Sequence, residues 1–254
     1  MKTSDKNERE QISIIDPFYR DGFFYLKSSG HQDAKFKVEQ LEKLLRKNDA
    51  LLPRFRLIAD IGCGSGKTTF LLKESTNIFS SSDLFIHGYD IHPYMNELKE
   101  TDHVRFIFGD FREVEHDIYD LAVTFDVVEH VPDPLGFLRS IAQSTHFIAL
   151  HIPLDNSILS WLRGHPKKKL SNPGHLLNLD VPAALNLLSF AGLKVIDFDY
   201  SPVFKAPSGK STLLQKFINP LRWLLYKLNP YICQKLLGGV SLIVLTKSPY
   251  FLEN

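Results

Sequence analysis

Three glycines on alternate positions, Gly62, Gly64 and Gly66, follow an apolar run of Leu57, Ile58, Ala59 and Ile61 that carries a single acid, Asp60. An apolar, helix-compatible segment comes next. This is the pattern of a buried strand turning tightly into a helix, where missing side chains let a ligand lie against bare backbone. Amides freed at the helix start face that ligand. Three further apolar runs also end in acids, at Asp90, Asp110 and Asp126. A carboxylate about twenty residues past a glycine turn sits at the tip of the neighbouring parallel strand, where it can accept both hydroxyls of a ribose. Glu129 and His130 follow the last of these acids, and His151 and His175 come later. An imidazole changes protonation near neutral pH and can act as a general base.

The glycine spacing chooses among ligands. A dinucleotide site wants Gly-x-Gly-x-x-Gly, and counted from Gly62 and Gly64 the third glycine falls on Lys67. A phosphate-cradling loop wants Gly-x-x-x-x-Gly-Lys-Ser/Thr, and although Gly66-Lys67-Thr68 supplies its end, Ile61 stands where the opening glycine belongs. A P-loop nucleotide hydrolase is therefore the weakest of the functional readings.

What fits is an acid, an apolar residue and Gly-x-Gly-x-Gly. The segment resembles motif I of the class I S-adenosylmethionine (AdoMet) methyltransferases, and the later acids arrive in that family's order. The resemblance implies cofactor contacts from Asp60, Gly62, Gly64, Gly66, Asp90, Ile91, Asp110, Phe111 and Asp126, with Cys63 as a backbone contact. Asp90 would take the ribose and Ile91 would flank the adenine. Asp110 would receive the adenine amino group, Phe111 would pack on the ring, and Asp126 would sit near the methyl group. Asp60 either accepts from the amino group of the methionine part or ties the glycine loop together. The stretch Phe125-Asp126-Val127-Val128-Glu129-His130-Val131-Pro132-Asp133-Pro134 looks like the motif that follows the fourth strand in ubiquinone-pathway-type O-methyltransferases. There His130 is the first candidate base and Glu129 its neighbour, although the same pair can orient the loop or contact the cofactor. His175, in a loop stiffened by Pro173 and Gly174, is a further candidate. No metal site is assigned. Near the N-terminus, Phe18, Tyr19, Arg20, Phe23, Phe24 and Tyr25 form an aromatic cluster; in related enzymes such a segment can fold over the cofactor, so Tyr19 and Tyr25 join the candidates and residues 1–30 are a candidate flap, with packing on the outside of the sheet as the alternative.

These residues need a scaffold. An amphipathic helix is expected at 32–47, with strands at 56–61, 84–89, 104–108, 119–125, 145–151, 193–200 and 240–247. Helices are expected at 66–75, 93–100, 134–143 and 180–191. Crossover helices imply a doubly wound, mostly parallel α/β sheet, Rossmann-like and seven-stranded, and the resemblance adds that the last strand inserts antiparallel. Ligands of such sheets bind beyond the carboxyl ends of the strands, where all four acids fall. The methyltransferase domain is placed at 31–254. Two segments lie outside its core: 152–178, read as a long loop, and 201–239, read as two short helices broken by Pro220 and Pro230. Both are candidate substrate lids.

Composition narrows the partners. The chain has 254 residues, 44% of them hydrophobic, enough to bury one full α/β core. A net charge of +1 gives no electrostatic reason to expect nucleic acid. Two cysteines, Cys63 and Cys233, argue against a disulfide framework and suit a reducing cytoplasm. No apolar signal segment opens the chain. The lysine run 167–169 reads as a solvated loop. The apolar face of 211–237 either packs on the domain, covers a partly apolar acceptor, meets a membrane surface or pairs two copies. The function expected is AdoMet-dependent methylation of a small or medium acceptor, at oxygen: a carbohydrate, lipid-linked or secondary-metabolite intermediate. A module that binds AdoMet without turnover is the alternative.

Overall fold

The structure, a computed structural model, describes residues 30–75, 83–171, 174–210 and 212–251. Seven strands form one sheet: β1 (Leu57–Ile61), β2 (Phe85–Asp90), β3 (Val104–Phe108), β4 (Tyr119–Phe125), β5 (Thr145–Pro153), β6 (Lys194–Ser201) and β7 (Ser241–Lys247). Their order is β3-β2-β1-β4-β5-β7-β6. The pairs among β1 to β5 are parallel, and β7 runs antiparallel to both β5 and β6. This is the doubly wound, mostly parallel arrangement expected, with the last strand inserted backwards.

Alternation along each strand divides the core between two faces. Ile58, Leu121, Val123 and Ile243 point to one side and are buried with Leu41, Leu44 and Leu45 of α1 (Gly30–Lys47) and Leu72 of α2 (Lys67–Glu74). Ala59, Ala122, Ile148 and Leu242 point to the other, against α3 (Pro134–Gln143) and α6 (Val181–Phe190). A strand buried on both faces reads as a continuous apolar run, which is why β1 and β4 were recognisable. Side-chain caps start the helices cleanly. Asp133 accepts the Gly136 amide at 2.9 Å, Asp180 accepts that of Ala183 at 3.0 Å, and a proline occupies the first turn of each.

Three expectations need correction. The helix expected at 93–100 is a 3-10 turn, Pro93–Glu97, because Thr101 and Val104 bridge immediately to begin β3. The loop expected at 152–178 contains α4 (Ile158–Leu162) and α5 (His165–Ser171). Ser157 caps the first, and Pro166 sits in the first turn of the second, where its missing N–H costs nothing. Finally, Pro220 does not end a helix: α7 (Leu213–Leu228) runs through it. Pro220 is exposed and lies inside the helix rather than at its end. A Thr212–Gln215 capping box starts α7, and Asn229 then starts α8 (Pro230–Leu237).

Candidate functional site

The glycine turn is pinned to the neighbouring strand. The amides of Gly62 and Cys63 both donate to the Tyr89 carbonyl, at 2.8 and 3.1 Å, so the Cys63 amide is already committed. Gly62, Gly64 and Gly66 all have positive φ, at 78°, 55° and 74°. Their roles differ. A Cβ at Gly62 would lie 2.4 Å from Val127 Cγ2, and one at Gly66 would lie 2.6 Å from Phe106 Cζ. A Cβ at Gly64 would meet nothing within 4 Å. Two glycines thus admit protein neighbours, and the middle one leaves open space in the cavity wall.

Carboxylates hold that shape. Asp90 accepts the Gly64 amide at 2.8 Å and the His92 amide at 3.1 Å, leaving further lone pairs toward the cavity. His92 is a clamp that motif reading missed. Its Nδ1 accepts the Tyr94 amide at 3.0 Å, so Nε2 carries the proton and donates to the Gly64 carbonyl, also at 3.0 Å. Asp60 is 1% exposed and accepts from the hydroxyls of Thr68 and Thr69 at 2.9 and 2.7 Å. Burial raises its carboxyl to about 6 against the pull of these bonds. That geometry ties the strand tip to α2.

A cavity of 1520 Å³ extends from this turn along the carboxyl ends of the strands. Ile91, 47% exposed, is on its wall. Phe111 reaches it from the core, stacked on His116 at 4.2 Å and edge-on to Tyr89 at 5.0 Å. Asp110 is there too, but Arg112 grips its carboxylate through Nε at 3.0 Å and through its own amide at 2.9 Å. Burial opposes ionisation, yet these bonds hold the Asp110 carboxyl below its usual range. An adenine amino group would share Asp110 with Arg112.

Charged groups meet at the far end. Asp126 is the one non-glycine with positive φ among the described residues, at 57°. Its carboxylate faces Lys37 Nζ at 2.7 Å and His151 Nδ1 at 2.5 Å. Burial alone would raise the Asp126 carboxyl, but Lys37 and His151 hold it well below the ordinary range. The other His151 nitrogen lies 3.0 Å from the Ser201 hydroxyl. Beyond the 3-10 turn Val128–His130, Glu129 is 1% exposed, and burial followed by the Asp126 charge pushes its carboxyl well up. His130 is lowered to about 4, first by burial and then by His175, so it is neutral at pH 7. His175 Nδ1 meets Asp155 at 2.7 Å, and Asp155 in turn pairs with Lys169 at 2.9 Å. Lys169 is therefore a partner inside the site, not part of a solvated run. Tyr19, Tyr25 and the rest of the proposed flap lie outside the described residues.

Among proteins of known identity, a family model described as a methyltransferase domain matches residues 31–188. The chain belongs to this family. Its methyl donor is AdoMet. The open space at Gly64 beside the Asp90 carboxylate suits a nucleoside lying on backbone. The fold recurs in magnesium protoporphyrin IX methyltransferase from Synechocystis PCC 6803, solved with bound SAH. That chain is 15% identical at a TM-score of 0.55, over 93% of this chain and 99% of the other. The chain bound to the Trm112 methyltransferase activator of Haloferax volcanii gives 15% and 0.58, over 93% and 100%. The N-methyltransferase NodS from Bradyrhizobium japonicum WM9 gives 12% and 0.50, over 84% and 97%. No curated protein matches significantly.

Proposed function

We propose that the chain catalyses methyl transfer from AdoMet to an oxygen of a small or medium acceptor. The observation that carries this reading is the single cavity bounded by Gly64 and Asp90 at one end and by Asp126, His130 and His175 at the other. AdoMet, when bound, supplies an electrophilic methyl group on a sulfonium. Gly64, Asp90 and Ile91 hold its nucleoside and amino-acid parts, and Asp110 and Phe111 take the adenine. Asp126 fixes the strand tip between them and the acceptor. The group of Glu129, His130 and His175 orients and activates the acceptor oxygen. Leu159 and Arg163 of the first insert and Gln215 of the second join the cavity wall, so we assign 152–178 and 201–239 as the lid.

The hydrolase alternative is not favoured, because the Thr68 hydroxyl is given to Asp60. A binding module without turnover makes a different prediction in one assay. Incubation with methyl-labelled AdoMet and fractionated cell extract should label a low-molecular-weight acceptor. No transfer to any fraction, with AdoMet bound, would leave only the binding module.

A lipid-linked acceptor has its own support. The apolar stripe of α7 points outward: Leu213 is 75% exposed, Phe217 81% and Leu228 74%. Arg222 is instead buried and bonded to the Leu237 carbonyl at 2.9 Å. Trp161 and Leu162 of α4 are also exposed, and Lys216 and Lys227 flank the stripe. Among the described residues no helix is long and apolar enough to cross a membrane. This combination fits a helix lying on an anionic lipid surface. Both cysteines are free and buried, and we place that surface on the cytoplasmic side. Sedimentation with phosphatidylglycerol vesicles should retain the protein and phosphatidylcholine vesicles should not. Concentration-dependent dimerisation without vesicle binding would turn the stripe into an interface between copies.

A further inference from the structure

We infer that Glu129, His130 and His175 form a binding site for one divalent transition-metal cation of the zinc type, with an open coordination position toward the acceptor end of the cavity. Donor atoms of the three side chains all lie within 4.8 Å of one another. Oε1 of Glu129 is 3.8 Å from Nε2 of His130 and 4.0 Å from Nε2 of His175. The two imidazoles meet edge to face at 89°, with centroids 4.7 Å apart. Zinc binds nitrogen and oxygen at about 2.0–2.2 Å, so tetrahedral ligands stand about 3.4 Å apart. Side-chain adjustments of about half an ångström would close the cradle around such an ion.

The tautomers point the same way. The Gly174 carbonyl can only accept, so His130 Nδ1, at 3.2 Å from it, carries the proton. Asp155 accepts from His175 Nδ1 at 2.7 Å. The second nitrogen of each ring, Nε2, then faces Glu129. Neither carboxylate oxygen of Glu129 has a hydrogen-bond partner among the described residues, although the side chain is 1% exposed. A buried carboxylate without partners is costly, and such exceptions require an explanation. A proton on Glu129 does not supply one, because 3.8 and 4.0 Å exceed hydrogen-bond range. One cation facing three lone pairs does.

The surroundings have the features that metal-ligating histidines need. Each donates its second nitrogen to a carboxylate or carbonyl, the contact that fixes ring orientation in metal sites. The ligand-bearing segments are also locked together. The Leu176 and Leu177 amides donate to the Glu129 carbonyl at 2.7 and 3.2 Å, and the His175 amide donates to that of Lys169 at 2.9 Å. Two imidazoles and one carboxylate suit zinc and its first-row neighbours rather than magnesium or calcium. His130 and His175 line the cavity, so the open position faces the acceptor. Taking an acceptor oxygen there rests on the methyl-transfer reading, and it makes His130 a metal ligand in place of a free base.

The test uses the full chain, stripped with a chelator and titrated with Co²⁺ as a spectroscopic stand-in for zinc. One equivalent should bind with visible d–d bands and be displaced by Zn²⁺. His175→Ala and Glu129→Gln should each weaken binding by about a hundredfold or more, and Asp155→Asn by about tenfold or more. AdoMet affinity, measured by calorimetry on the same samples, should persist and shows that the variants are folded. Absence of Co²⁺ binding by the wild type, or uptake unchanged in Glu129→Gln and His175→Ala, would overturn the site. AdoMet binding without Co²⁺ binding would leave the methyl-transfer reading standing and sink only this inference. Co²⁺ binding without AdoMet binding would do the reverse.

Discussion

The two ends of the cavity are built by different means. At the glycine turn the shaping contacts are short-range: backbone to backbone, carboxylate to amide or hydroxyl, and the His92 ring to the Gly64 carbonyl. At the end we propose for the acceptor, charged side chains converge from separate parts of the chain. Lys37 comes from α1, Asp126 from the end of β4, His151 from β5 and Ser201 from the end of β6. One end is therefore sensitive to shape and the other to charge. Substitutions should separate the two: steric changes should act through the turn, and charge changes through the far group.

The largest effect belongs to shape. Gly62→Ala places a methyl group against Val127 at a positive φ, and should cost about 3 kcal/mol in urea unfolding. Gly64→Ala has the same φ problem but open space, and should cost about 1 kcal/mol while impairing AdoMet binding. Equal stability losses would mean that the division between packing and ligand glycines is wrong. Next comes Asp90→Ala, which removes a carboxylate from the proposed cofactor end. AdoMet affinity measured by calorimetry should fall by about 1–3 kcal/mol. Unchanged affinity would reject Asp90 as a cofactor contact.

Charge dominates the third comparison. Lys37→Met leaves Asp126 with His151 as its remaining partner. Removing one member of a buried pair costs about 3–5 kcal/mol, but the Asp126 side chain is 29% exposed. Solvent screening reduces the expectation to about 1–2 kcal/mol of unfolding free energy. AdoMet affinity should stay near wild type. A loss of AdoMet binding larger than the loss of stability would show that the two ends are not separable.

The same difference explains what could be read without coordinates. Buried parallel strands are continuous apolar runs, so β1, β2 and β4 and the acids at their tips stood out, and Asp90 fell beside the glycine turn as its spacing implied. Lys37 did not stand out. It is one lysine among many polar residues of an amphipathic helix, and only the packing of α1 over the sheet brings it to Asp126. Ser201 and Asp155 are similar, since nothing local links Ser201 to His151 or Asp155 to His175. Arg112 was legible in principle, because it lies two residues after Asp110 in the same turn. Pro220 misled for a local reason. A proline inside a helix forfeits one backbone hydrogen bond, and α7, started by its capping box, continues through an exposed Pro220 all the same.

The smallest effect tests the cofactor end for charge, which the comparison says is not what shapes it. Asp60 is the exception there, a carboxyl raised by burial to about 6 from an ordinary 3.8. In the unfolded chain it ionises freely, whereas in the folded chain ionisation must occur away from water. Its contribution to stability is therefore full below the unfolded value and is lost as pH rises through the folded one. Between about pH 5 and pH 7 that loss amounts to about 1 kcal/mol. Asp60→Asn keeps an acceptor for Thr68 and Thr69 but cannot ionise, so its urea midpoint should decline less over this interval than that of the wild type. Parallel decline in both proteins would show that the buried Asp60 carboxyl does not titrate there, and that the glycine end carries no charge sensitivity of its own.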